Sequence, residues 1–142
     1  MSAVEGKEEL IEKLIELGKI DMQRALSRGG LIVENDAKKK APHDTGELRR
    51  SITHYATQEE CVIGTNLFYA PYLELGSGLW AVSGDGRKDV PWSYKDEEGN
   101  WHSTVGIHPH PYMGPALHDN RRKIEKEIAK EIERQLKEIA KK

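Results

Sequence analysis

The chain has 142 residues, with 22 Lys and Arg against 24 Asp and Glu, so its formal net charge is −2 although 32% of its residues are charged. This balance excludes a global field that would draw the protein to nucleic acid or to an anionic membrane, so neither partner is expected. Its size is that of one domain, and a lone cysteine, Cys61, excludes an intramolecular disulfide. No apolar run is long enough for a signal peptide or a membrane span, so the chain is expected to be cytosolic when made. An aromatic content of 6% and a mean hydropathy of −0.72 point to long solvated helices or to surface completed by partners.

Across residues 4–40, Leu10, Ile11, Leu14, Leu17, Met22 and Ala25 recur at spacings of three and four, which predicts a helix with one apolar stripe. Gly29 and Gly30 each cost about 1 kcal/mol relative to Ala inside a helix, so a break or bend is expected there. Pro42 disfavours the α conformation at Ala41 and ends this segment; residues 42–46 read as a loop. Ser51-Ile52 and His54-Tyr55, a turn at Gln58-Glu59-Glu60, and Cys61-Val62-Ile63 predict an antiparallel hairpin. Residues 69–76 fit a short helix with Pro71 in its first turn and Gly76 at its end, turning Tyr69, Tyr72 and Leu73 inward.

Gly78, Ser83, Gly84 and Gly86 mark an exposed, mobile loop. Residues 92–95 and 101–104 flank a turn-rich connection and predict a second hairpin with aromatic cross-strand neighbours. His108-Pro109-His110-Pro111 is extended, and Pro115 opens a last helix with Ile124, Ile128, Ile132, Leu136 and Ile139 on one stripe. The sum is an α+β fold: long N- and C-terminal helices packed on a small antiparallel β-sheet, with a flexible Gly-rich loop. It is expected to be a single domain of residues 1–142, made of an N-terminal helical segment 1–41, a β-rich core 42–112 with its loop at 76–90, and a C-terminal helix 113–142.

Asp44-Thr45-Gly46 matches the three residues around the carboxylate of aspartic proteases, which would make a dimeric protease using Asp44 the enzymatic alternative. Flanked by Pro42-His43 and Glu47-Leu48 rather than an apolar strand, the tripeptide reads better as a turn in which Gly46 takes a positive φ. His102, His108, His110, His118 and Asp119 lie close in sequence but lack the spacing of a zinc site. Gly76-Ser77-Gly78 and Gly84-Asp85-Gly86 lack the Lys-Ser/Thr pair of a phosphate loop. Trp92, Tyr94 and Trp101 read as hairpin packing or a partner contact. Arg121, Arg122, Lys123 and Lys126 would carry a second alternative, a small nucleic-acid-binding factor using the basic C-terminal helix; a solvated face is preferred. No catalytic, metal or cofactor site is assigned.

Five segments stand in a telling order: Ala37-Lys38; Ala41-Pro42-His43-Asp44-Thr45-Gly46-Glu47-Leu48-Arg49-Arg50-Ser51-Ile52; Val62-Ile63-Gly64-Thr65; Tyr69-Ala70-Pro71-Tyr72-Leu73-Glu74-Leu75-Gly76; and Pro111-Tyr112-Met113-Gly114-Pro115-Ala116-Leu117. Together they resemble the neck or tail-completion family of long-tailed bacteriophages and prophages, also described as minor tail components. The resemblance spans residues 37–117, with the terminal helices matching in type; Tyr112 stands where Phe is frequent and Ser77 where Thr is frequent. It implies a non-enzymatic virion protein at the head–tail junction, made in the host cytoplasm. It also implies a homo-oligomeric ring, contacts with other neck and tail proteins, and no cofactor. The residues carrying the motifs, expected to be structural or interfacial, are Pro42, Asp44, Thr45, Gly46, Leu48, Ser51, Gly64, Tyr69, Ala70, Tyr72, Glu74, Gly76, Pro111, Tyr112, Pro115, Ala116 and Leu117.

Overall fold

The computed structural model describes residues 5–42 and 46–141. It is α+β: helices α1 (Lys7–Leu17), α2 (Met22–Lys40) and α3 (Glu47–Ser51), strands β1 (Thr53–Ala56) and β2 (Cys61–Gly64), helix α4 (Ala70–Leu75), strands β3 (Trp92–Lys95) and β4 (Trp101–Thr104), and helices α5 (Met113–His118) and α6 (Arg121–Lys141). The strands form two separate two-stranded sheets, β1-β2 and β3-β4, where one small sheet is expected from the sequence. The chain divides into two compact units, the first of residues 1–32, 54–62 and 121–142, the second of 33–53 and 63–120.

In the first unit the helical break falls at residues 18–21, not at the glycine pair. Gly18 closes α1, and α2 restarts after Asp21, whose carboxylate accepts the N–H of Arg24 at 3.0 Å. Two glutamines complete that start. Gln58 accepts from the N–H groups of Met22 (2.9 Å) and Gln23 (3.3 Å), and Gln135 accepts from the Asp21 N–H (2.7 Å) while donating to the Asp21 carbonyl (3.1 Å). Three of these contacts satisfy N–H donors that a helix start otherwise leaves to water, and the fourth, to the Asp21 carbonyl, fixes the Gln135 amide in place. Gly29 and Gly30 stay inside α2 because the packing demands it. A Cβ on Gly29 would lie 3.1 Å from Ile124 and Ile128, and one on Gly30 would lie 2.4 Å from the Cys61 sulfur. Close approach of neighbours outweighs the propensity cost of about 1 kcal/mol each.

Glu131 sits near the middle of α6 and is 1% exposed. Its carboxylate meets Arg24 (3.2 Å), Arg28 (3.2 Å) and Arg134 (2.7 Å), and Gln135 donates to it at 3.3 Å. The Arg134 hydrogen bond, with help from Gln135 and Arg28, outweighs desolvation and holds this carboxyl down at about 2.

The second unit is built on Val33, Ala37, Ala41, Leu48, Ile52, Ala70, Tyr112 and Ala116, all at most 4% exposed. Gly46 takes φ 80° before α3, the positive angle expected of it. Strands β3 and β4 pair antiparallel with Tyr94 opposite His102 and Lys95 opposite Trp101, and Tyr94 stacks on His102 at 5.3 Å. The hairpin turn is closed by Asp96, which accepts from the Asn100 N–H at 2.8 Å and bonds the His102 ring at 2.7 Å. Where one helix over 113–142 is expected there are two. Asn120 ends α5 by donating to the Ala116 carbonyl (2.8 Å) and to Asp36 (2.7 Å).

Candidate functional site

Two motif segments far apart in the sequence are joined by one side chain. Glu74, in the last turn of α4, accepts the N–H groups of Tyr112 (2.7 Å), Met113 (2.9 Å) and Gly114 (2.8 Å). These are orphan donors at the start of α5, where helix geometry leaves N–H groups unpaired and the helix dipole favours a negative charge. Tyr112, 2% exposed, returns the link by donating its hydroxyl to the Ala70 carbonyl at 3.1 Å. Burial, reinforced by the nearby charge of Glu74, pushes the Tyr112 phenol up to about 12. A Cβ on Gly114 would lie 3.1 Å from the Glu74 carboxylate, so the carboxylate fits closely against a residue without a side chain.

The other motif residues fall into three groups. Leu48, Ala70 and Ala116 are core; Ser51 donates to the Leu48 carbonyl at 2.6 Å and bonds the Thr65 hydroxyl at 2.6 Å; and Tyr69 donates to Glu47 at 3.1 Å. Tyr72 is 53% exposed and Leu117 49% exposed. The expectation that Tyr72 packs inward is therefore overturned: Pro71 and Tyr72 lie on the outer side of α4 while Ala70 takes the buried side. Pro111 is exposed, while Pro42 and Pro115 are half-buried. Asp44 and Thr45 lie outside the described residues. Gly64 ends β2 with open space where a Cβ would stand, so nothing around it requires glycine.

Beside the Glu74 clasp runs a groove of about 820 Å3 whose lining includes Phe68, Tyr72, Leu75, Trp92, Tyr94 and Ile107, with Asp85 and Arg87 as its charged groups. The Arg87 guanidinium lies 5.1 Å from the Trp92 ring centre. The glycines here serve close backbone contact. A Cβ on Gly78 (φ 59°) would lie 2.2 Å from the Val105 carbonyl, and one on Gly106 (φ 124°) would lie 2.1 Å from the Ser77 carbonyl. Ser77 and Leu79 donate their N–H groups to Ile107 (2.9 Å) and Val105 (3.0 Å), which ties the loop entrance to the chain after β4.

Among the described residues no group of three or more His, Cys, Asp or Glu could hold a metal ion. Of the five residues weighed for zinc, His108 instead stacks on Trp80 at 4.0 Å and His102 bonds Asp96. Burial raises the Cys61 thiol, which keeps it protonated and a poor nucleophile. Among the described residues no helix is long and apolar enough to cross a membrane.

What the described surface does offer is apolar area. Twenty large apolar side chains are at least 37% exposed, against ten buried apolar residues of which six are alanine. Helix α1 buries none of its residues, and its Leu10, Ile11, Leu14 and Ile15 are 44–58% exposed. Monomeric proteins expose apolar residues singly; contiguous patches mark contact surfaces.

Sequence reasoning reached Glu74 through its motif but not Glu131, Gln58, Gln135 or Gly106. Glu131 carried a readable signal, an acid lying on the Ile124–Ile128–Ile132 side of an amphipathic helix. The glutamines and Gly106 act across long sequence separations and carried none.

Residues 8–76, just under half of the chain, match the model of the family described as Bacteriophage HK97-gp10, putative tail-component. The matched stretch takes in helices α1 to α4 and ends before the segment of residues 111–117. Comparison with curated proteins and with solved structures gave no match. From the exposed first helix to the carboxylate of Glu74 and the glycine that closes α4, the chain resembles the HK97-gp10-like family of bacteriophage tail components.

Proposed function

We propose that this protein is a structural subunit of the virion neck of a long-tailed phage, acting in head–tail joining or tail completion. It works through contacts with copies of itself in a ring and with other neck and tail proteins, and it has no catalytic role. Its place is the head–tail junction, after synthesis in the host cytoplasm. The family match to residues 8–76 supports the tail-component class. The observation that carries the reading is the inverted apolar distribution, with an alanine-rich interior and large side chains outside. Such a chain gains about 25 cal/mol for each Å2 of apolar surface it later buries against partners. In this reading Glu74, Tyr112, Leu48 and Ser51 hold the fold, while Tyr72, Pro111 and Leu117 face partners. Quantitative mass spectrometry of gradient-purified particles tests it. The expected result is this chain at a fixed copy number per particle; its absence from intact particles would overturn the reading.

A further inference from the structure

At 3.6 residues per turn, Glu8, Glu9, Glu12 and Glu16 of α1 fall within about a third of the helix circumference. On α6, Arg122, Lys123, Lys126, Lys130, Lys137 and Lys141 fall within a similar arc, interrupted by one acid, Glu133. Among the described residues Glu8, Glu9, Glu12, Arg122, Lys123, Lys126 and Lys130 enter no ion pair, whereas Arg121 and Arg134 are paired within α6. All seven are exposed. Each charged arc is bordered on the same rotational side by exposed apolar residues: Ile11 (44%) and Ile15 (58%) on α1, Leu136 (37%) on α6.

We infer that the acidic face of α1 in one copy docks antiparallel along the basic face of α6 in the next copy. The orientation follows from handedness. Two right-handed helices whose apolar and charged arcs run in the same rotational order match apolar to apolar and acid to base only when antiparallel; a parallel pair sets charge against Ile and Leu. Helix α1 is about 16 Å long and the basic arc about 28 Å, so α1 covers roughly half of it. The contact joins two different faces, so it is heterologous and propagates from copy to copy until it closes. It rests on the ring reading proposed above and supplies that ring with its seam. The same basic arc could serve phosphate, but a net charge of −2 and an acidic partner face on the same chain favour a second copy.

The test is sedimentation velocity of the full chain with two charge-reversal variants, Glu8→Lys/Glu9→Lys/Glu12→Lys and Arg122→Glu/Lys126→Glu/Lys130→Glu. Circular dichroism checks that each is folded. The unaltered chain should self-associate, about tenfold more weakly in 500 mM than in 50 mM salt, because exposed pairs are screened. Each variant alone should sediment as a monomer. An equimolar mixture of the two should regain association, since every reversed face then meets its complement. A mixture that stays monomeric, variants that associate like the parent, or a parent that never associates would each overturn the inference. So would an α6 variant that loses DNA retention while still self-associating. Any of these results, with the protein present in intact particles, leaves the neck assignment standing and removes only this seam.

Discussion

Replacing Glu74 by Gln keeps the shape of the clasp and removes its charge. One Glu74 oxygen takes the N–H groups of Tyr112 and Met113 at 2.7 and 2.9 Å, and the other takes that of Gly114 at 2.8 Å. The amide retains one acceptor, so two bonds fall from charge-assisted to neutral and an NH2 group is set against a backbone N–H. A hydrogen bond to a charged group contributes about 1.5–3 kcal/mol and a neutral one about 1, which puts the expected loss at about 3 kcal/mol. Urea unfolding read by tryptophan fluorescence is well placed to see it, because Trp80, Trp92 and Trp101 all lie in the same unit as the clasp. With a denaturant slope of about 2 kcal/mol per molar, the midpoint should fall by about 1.5 M with the slope unchanged. Ultraviolet titration gives a second readout: without the Glu74 charge, the Tyr112 phenol should ionise below its present value of about 12. A midpoint shift under about 0.3 M, no larger than that of a Glu133→Gln control on the exposed face of α6, would refute the clasp as a source of stability.

Glu131 sets the acid edge of the first unit. Its carboxyl titrates near 2 when folded and near 4.3 when unfolded, so its contribution is complete above that unfolded value and disappears as pH falls to about 2. The side chains of Arg24, Arg28 and Arg134 are 40–55% exposed, which discounts the effect to about 2 kcal/mol. Helical circular dichroism of Glu131→Gln should show a flatter acid dependence, and an unchanged one would contradict the assignment. Gly30→Ala should destabilise by about 1–3 kcal/mol despite the better helix propensity of Ala, because its Cβ would lie 2.4 Å from the Cys61 sulfur; a rise in Tm would sink that explanation. Gly106→Ala, strained at φ 124° and facing a carbonyl at 2.1 Å, should lower the fluorescence-detected midpoint more than Gly99→Ala, whose φ of 90° carries strain without a close neighbour. Cys61 should react with iodoacetamide at neutral pH several-fold more slowly than free cysteine, and at the free rate once the chain is unfolded.

Local patterns in the sequence were reliable where they encode local structure. Pro71 and Gly76 bound α4, Gly46 takes its positive φ, and the second hairpin forms where expected, with Tyr94 opposite the His102 ring while Trp92 faces Thr104 and Trp101 faces Lys95. The errors arose where distant contacts decide. Gly29-Gly30 looks like a helix break because propensity is local, yet Ile124 and Ile128 pack tightly against Gly29 and the Cys61 sulfur leaves no room for a Cβ on Gly30 without a shift. Tyr72 looked like core because it is aromatic, but α4 offers its buried side to Ala70. Both ends of the Glu74 clasp lie in motif segments, but a carboxylate on one helix and three N–H groups about forty residues later leave no trace in spacing that they touch. The apolar stripe of α1 was legible as amphipathic, while its lack of any buried residue was not.

The central claim is that this chain is a built-in part of the phage neck. Gold-labelled antibody against it, applied to sedimented particles from an induced culture of the native host and viewed by electron microscopy, tests that most directly. Label concentrated at the head–tail junction is the predicted result. Label confined to the soluble fraction, with particles bare, would contradict it.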